Sequence, residues 1–361
     1  MDWKKKLLSA VTAAVFGFSM LVNTPQVHAG IIGIAGTLIE GAQMRNEVRK
    51  IIKQINETPE GQAALYQKFR EKYGVDDSIE YNEKLDRLMA NLTRGVAAVD
   101  PTINDKPYKY FVAAQDSLNA GCAMAHVMMV NRGAFKALPN EDELAAIVGH
   151  EMGHGQKNHS VKSLEKQVNQ KITSNLLGAT LGGGITSTIA DIALNHTSAH
   201  KDKKFETEAD SLSVDYLVNT PYNIGATAAV MQRFVEMSIG KENSRVQAFF
   251  KPSDHPDSAR RRDACAKKLF EYSGKHAEAK DGTVKVNKKT FMTPVAADNM
   301  SGAERSYFVL GNLARAYHSG QNKHEATVQN GTVMLGSQAI VTPAEGDEDA
   351  QVLADRLNSI K

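Results

Sequence analysis

The chain has 361 residues, enough for one large domain or two modest ones. Apolar residues make up 42% and charged residues 23%, an ordinary globular balance. A formal net charge of +2 excludes a strong field aimed at nucleic acid or acidic lipid, and no nucleic-acid partner is expected.

The N-terminus reads as a secretory signal peptide over residues 1–29. Lys4, Lys5 and Lys6 form its basic start, Leu7 to Val22 its uncharged apolar run, and Val27-His28-Ala29 its small-x-small cleavage site. Gly30 is then the mature start, in an exported, periplasmic or envelope-associated protein. An uncleaved anchor is the alternative, kept open by the apolar Gly30 to Gly36 segment. No Cys near residue 29 offers a lipobox, and no later uncharged stretch is long enough to span a bilayer. Membrane association is compatible with the sequence but not required by it.

Residues 43–99 read as helical. Met44, Val48, Ile51, Ile52 and Ile55 make one apolar face, Thr58-Pro59 looks like a new helix start, and Leu85, Leu88, Met89 and Leu92 continue the period. Asp100-Pro101 stops it. Tyr108 to Val112 and Val127 to Val130 read as strands, the second ended by Asn131-Arg132-Gly133. Helical pattern returns over 141–159, with Asn140 as cap and Glu143 placed as in a capping box. Residues 178–186 are a glycine-rich break, and helices are expected again around 203–219, 222–239 and 256–272. Beyond about residue 275, a turn with strands around 280–289, a helix over 303–317 and a strand over 331–340 suggest a small α/β appendage. No internal repeat is evident.

The chemistry concentrates in His150-Glu151-Met152-Gly153-His154. Residues four apart share one helix face, so both imidazoles can reach one ion. Zinc takes nitrogen ligands at about 2.0–2.1 Å and suits such a pair. Glu151 is offset around the helix, where a general base for a zinc-held water belongs. Gly149 and Gly153 each cost about 1 kcal/mol of helix propensity, explicable if something approaches the helix closely. A catalytic zinc needs a third protein ligand, and Phe205-Glu206-Thr207-Glu208-Ala209-Asp210 is the candidate segment. On a helix Glu206 and Asp210 share a face, one as ligand and one holding a ligating imidazole. A solvated acidic face is the plainer reading of the same residues.

This ordered set of motifs resembles the family of HtpX and CAAX prenyl proteases, gluzincin zinc metallopeptidases, and within it the soluble periplasmic BepA/LoiP-like branch. The resemblance covers roughly residues 80–272. The segment Glu141 to Glu151, the later Glu206 and Asp210, and His255-Pro256 with Arg261 all match family patterns. It implies an α+β fold: a mainly helical zincin-type domain with a small β-sheet edging the cleft. The peptidase domain would run over 30–279, with the helical part at 43–99 and a catalytic core at 100–275. Residues 280–361 would be a small C-terminal α/β region. It further implies one zinc per chain on His150, His154 and Glu206, with Asp210 behind a ligand. Glu151 would be the base, and His255 a displaceable fourth ligand or, with Arg261, an oxyanion stabiliser. An edge strand near Asn119 to Val130 would hold an extended peptide by backbone pairing. Polypeptides, among them misfolded envelope proteins, would be the substrates; a zinc-stabilised chaperone or binding module that does not cleave is the alternative. One departure is plain: the family's Pro-Gly-Gly element is missing where Gly121 to His126 follows Asn119-Ala120.

The two cysteines, Cys122 and Cys265, read as one disulfide of an exported protein or as two buried thiols. The resemblance puts both near the cleft, which gives the disulfide a geometric motive. His159, five residues after His154, rotates off the metal face and reads as an exposed or capping residue. His126 reads as a structural strand residue, and His196 and His200 as part of a loop rather than a second metal site.

Overall fold

The computed structural model describes residues 32–173, 202–239 and 257–361. Three helices come first: α1 (Ile32–Glu57), α2 (Pro59–Tyr73) and α3 (Ile79–Ala97). The break between the first two is chemical. Thr58 Oγ1 accepts from the Gly61 amide at 3.0 Å, and Pro59 takes the first helical position, where no amide is needed. Along α3 the apolar stripe Leu85, Leu88, Met89, Leu92 and Val96 is buried, as its spacing predicts.

A small sheet follows, from β1 (Lys109–Ala113), β2 (Ala120–Ala123) and β3 (Val127–Asn131), in the order β1-β3-β2. β3 is central, parallel to β1 and antiparallel to β2. The expected edge strand over Asn119 to Val130 is therefore a tight hairpin. Ala125 and His126 turn it through the left-handed region at φ 59° and 55°, and β2 lies at one edge of the sheet with β1 at the other.

The short helix α4 (Arg132–Ala137) leads to α5 (Glu141–Gln156), which carries the His-Glu-Met-Gly-His segment. Asn140 caps it, accepting from the Asp142 amide at 2.8 Å. The expected capping box does not form. Glu143 is instead buried and takes two hydrogen bonds from Arg233, at 3.0 and 3.1 Å. Helices α6 (His159–Thr173), α7 (Lys203–Val218), α8 (Ala226–Ile239) and α9 (Ser258–Tyr272) complete this part. α5 and α7 meet through the two glycines singled out in the sequence. A Cβ on Gly153 would lie 3.1 Å from Ala209 Cα, and one on Gly149 3.2 Å from Ser213 Oγ.

The C-terminal part holds a repeat, where none was expected. Strands β4 (Ala277–Lys280), β5 (Thr283–Val286) and β6 (Lys289–Met292) form an antiparallel meander followed by α10 (Gly302–His318). Strands β7 (Ala326–Gln329), β8 (Thr332–Leu335) and β9 (Gln338–Val341) repeat it, followed by α11 (Ala350–Ile360). The likeness extends to detail. Asp281-Gly282 and Asn330-Gly331 both take positive φ, the signature of a tight primed hairpin turn. Each middle strand shifts register at the same place, Val284/Lys285 and Val333/Met334. Thr283 faces Thr293 at 3.2 Å as Thr332 faces Thr342 at 2.7 Å. The signal in the sequence is short: Gly282-Thr283-Val284 and Thr293-Pro294 recur at one spacing as Gly331-Thr332-Val333 and Thr342-Pro343.

The expected boundary at residue 279 falls inside β4. The repeat units share one apolar core with the helical part. Arg315 on α10 donates to the carbonyls of Leu217, Thr220 and Tyr222, and Arg233 on α8 reaches Glu304 at 3.3 Å. Gly311 lies against the backbone of Gly225, where an added Cβ would stand 2.7 Å from Gly225 Cα. Gly311→Ala should therefore destabilise the chain by about 1–3 kcal/mol or more in chemical unfolding; an unchanged midpoint would show that α10 can slide.

Glu304 supplies a pH test. Burial raises its carboxyl to about 7, with Glu143 and Glu236 adding to the rise against the pull of Arg233. A raised acid holds its proton more tightly folded than unfolded, so its ionisation removes stability as pH rises from its usual range toward 7. Glu304→Gln, which stays neutral, should gain stability relative to the unaltered chain between pH 5 and 8. Urea titrations at both pH values check the sign.

Candidate metal centre

His150 and His154 stand one helical turn apart on α5, and Glu206 comes from the first turn of the neighbouring α7. The glycine contacts bring these helices close enough for the three side chains to converge. His150 Nε2 and His154 Nε2 are 3.1 Å apart. Glu206 Oε1 lies 3.1 Å from His154 Nε2, and Oε2 3.7 Å from His150 Nε2. One donor atom from each residue falls within 4.8 Å of the others, and all three residues are buried. Two nitrogens and a carboxylate around one point, with the carboxylate shielded from water, are the donor set of a catalytic zinc with one position left over. The residues present fit such an ion.

The donors are held from behind. Asp210, one turn after Glu206, meets His150 Nδ1 at 2.9 Å. Arg261, on α9, grips both acids: Nη1 lies 2.9 Å from Glu206 Oε2, while Nε and Nη2 donate to Asp210 at 2.7 and 2.6 Å. Burial works against an ionised Asp210, but the Arg261 charge outweighs it, with help from His150, and holds the carboxyl well below the usual range. Arg261, expected as an oxyanion stabiliser, thus also braces the donors, and it lines the same recess as His150 and Glu151. Its guanidinium organises a metal-facing glutamate and the aspartate behind a histidine.

Glu151 is buried beside the donors, and its Oε2 accepts a hydrogen bond from the Cys122 amide at 3.0 Å. The open edge of β2 thereby orients this carboxylate. An apolar recess lined by Leu118, Ile147, Met231 and Phe234 adjoins it. The Cys122–Cys265 disulfide is not formed. Both cysteines are free and buried; burial pushes the Cys122 thiol well up and the Cys265 thiol up as well. What matters at Cys122 is its backbone amide, which no side-chain pattern could announce.

His159 differs most from its sequence reading. It is buried rather than exposed, with Nδ1 3.0 Å from His154 Nδ1 and Nε2 3.1 Å from Glu208 Oε2. Counting residues around a continuous helix misplaced it. α5 ends at Gln156, Asn158 takes φ 52°, and the chain restarts at His159 in a new direction. Lys157-Asn158 was the available signal. His126 is structural as expected but sits in the turn before β3 rather than in a strand, stacked on Tyr108 at 4.4 Å with Nδ1 2.7 Å from the Lys106 carbonyl. His196, His200 and His255 lie outside the described residues.

Removing Arg261 tests the support. Arg261→Met leaves two buried carboxylates facing each other without their cation, which should cost about 3–5 kcal/mol of stability without metal. Added zinc should recover part of that loss by neutralising Glu206. Thermal unfolding with and without zinc measures both effects.

A family model of peptidase family M48 matches residues 81–268. Metalloprotease LoiP of Escherichia coli (strain K12) is 26% identical over 175 residues, 47% of this chain and 66% of that protein. Metalloprotease YcaL of the same organism is 25% identical over 190 residues, 52% of this chain and 72% of that protein. The chain thus spans just under two thirds of LoiP's length. The matched region holds α5, α7 and Arg261 together and covers just over half of the chain, which belongs to peptidase family M48.

Proposed function

We propose that this chain is an exported zinc metalloendopeptidase that cleaves polypeptides of the cell envelope. The observation that carries the reading is the buried convergence of His150, His154 and Glu206, with the Glu151 carboxylate turned by a backbone amide beside them. A purely structural metal site has no use for such a neighbouring carboxylate. Zinc bound by these three residues would supply Lewis acidity toward a water and the scissile carbonyl.

The chain's own groups do the rest. Glu151 accepts the proton of the attacking water and later delivers it to the leaving amine. The Cys122 N–H keeps that carboxylate oriented between the two transfers. Asp210 and Arg261 hold His150 and Glu206 in place throughout. Substrate positioning falls to β2. The Asn131 amide donates to the Asn119 carbonyl at 2.9 Å, so along β2 the backbone of Ala120 and Cys122 points away from β3. Cys122 is engaged by Glu151 and, through its carbonyl, by Ser160 at 2.9 Å. Ala120 is left to pair with an extended peptide. His255 as a displaceable fourth ligand remains part of the reading on the resemblance alone.

Export rests on the pattern of residues 1–29. No helix among the described residues is long and apolar enough to cross a membrane. A role in clearing misfolded envelope proteins rests on the family resemblance.

The deciding experiment is Glu151→Gln. The variant should bind zinc stoichiometrically yet cleave an unfolded polypeptide at least about 10²–10⁴-fold more slowly. Cleavage at the unaltered rate would sink the mechanism, and capture of substrate without cleavage by either protein would favour a binding module.

A further inference from the structure

His159 and Glu208 lie outside the ligand set yet touch it in series. Glu208 Oε2 is 3.1 Å from His159 Nε2, His159 Nδ1 is 3.0 Å from His154 Nδ1, and His154 Nε2 is 3.1 Å from Glu206 Oε1 at the metal position. The protons along this line follow from donor and acceptor rules. An ionised carboxylate only accepts, so His159 carries its proton on Nε2. A neutral imidazole has one N–H, which leaves a lone pair on His159 Nδ1. Two ring nitrogens at 3.0 Å need one hydrogen between them, so His154 Nδ1 donates. The single proton of His154 is then placed, and its Nε2 keeps the lone pair that a metal ion requires.

His150 reaches the same state in one step, its Nδ1 facing Asp210 Oδ1 at 2.9 Å. Carboxylate behind histidine behind metal is a general arrangement that fixes tautomer and raises ligand basicity. At His154 a second imidazole is interposed. The ring of His159 is fixed as well, stacked on Phe205 at 4.2 Å with only 11° between the planes. Phe205, Glu206, Glu208 and Asp210 all sit on α7, so one helix supplies a metal-facing carboxylate and both outer anchors.

We propose that His159 and Glu208 are positioning residues for the metal: a carboxylate–imidazole relay that locks His154 in its Nδ1–H tautomer and thereby sets the zinc affinity of the site. The inference rests on the zinc reading of His150, His154 and Glu206, and adds two residues to it.

The test is a zinc competition titration against a chromophoric chelator, with the full mature chain and its variants. His159→Leu removes the acceptor and should weaken zinc binding ~10–100-fold. His159→Asn puts an amide oxygen near the place of Nδ1 and should recover most of that loss. Glu208→Gln, at a half-exposed position, should weaken binding in the same direction by a smaller factor. A merely structural role would not predict the Asn rescue. Long-range ¹H–¹⁵N spectra of the zinc-loaded chain should show His159 protonated on Nε2. Unaltered zinc affinity in both His159→Leu and Glu208→Gln, or a His159 protonated on Nδ1, would overturn the relay while leaving the zinc reading intact. If His159→Leu fails to fold, Glu208→Gln and the spectra decide. Failure of the unaltered chain to bind zinc at all would remove the zinc reading and the relay together.

Discussion

Everything at this site depends on how closely α5 approaches α7. Two helices packed through ordinary side chains stand some 8–10 Å apart axis to axis, with contacts filling the space between. Here the facing positions are Gly149 and Gly153 on one side and Ala209, Ser213 and Leu217 on the other. With no side chain on α5 at these two positions, Glu206 reaches the imidazoles of the opposite helix while staying buried. A glutamate with more room would turn to water, where its charge is better solvated. The tight fit at the two glycines and the convergence of the donors are one geometric fact.

That convergence would fail electrostatically without Arg261. Glu206 and Asp210 are like charges one helical turn apart, both removed from solvent. A single guanidinium, itself buried, contacts both and makes their ionised forms tenable. Because Arg261 belongs to α9, the site needs a third helix from late in the chain. α9 in turn packs on α8 and α10, so the tandem C-terminal units bear on the placement of a residue that touches the donors. They share their core with the peptidase helices.

Much of this was legible in the sequence, for identifiable reasons. Helices and donors obey local rules: the four-residue spacing of His150 and His154, the matching spacing of Glu206 and Asp210, and the caps at Thr58 and Asn140. Glycines inside an otherwise good helix also carried meaning, since their propensity cost pointed to a close neighbour. The unread features share a different character. The Cys122 amide acts through its backbone, which every residue possesses. His159 depends on a left-handed Asn158 that redirects the chain between two helices. Glu143 left its capping box because Arg233, distant in sequence, offered a buried ion pair. The repeat is conserved in turns, register and core positions, where many side chains serve equally well.

Cys122, His150, Glu151, His154, His159, Glu206, Glu208, Asp210 and Arg261 come from one strand and four helices spread across the middle of the chain. No short stretch of it contains a working fragment of the centre. In an extended chain the two histidines would face water with neither a carboxylate partner nor a fixed tautomer. A polypeptide threaded unfolded through a membrane pore would carry all the parts and none of the chemistry. The donors have their full support only once α9 brings Arg261 against Glu206 and Asp210. The distance between the parts along the chain thus ties the site to the folded state.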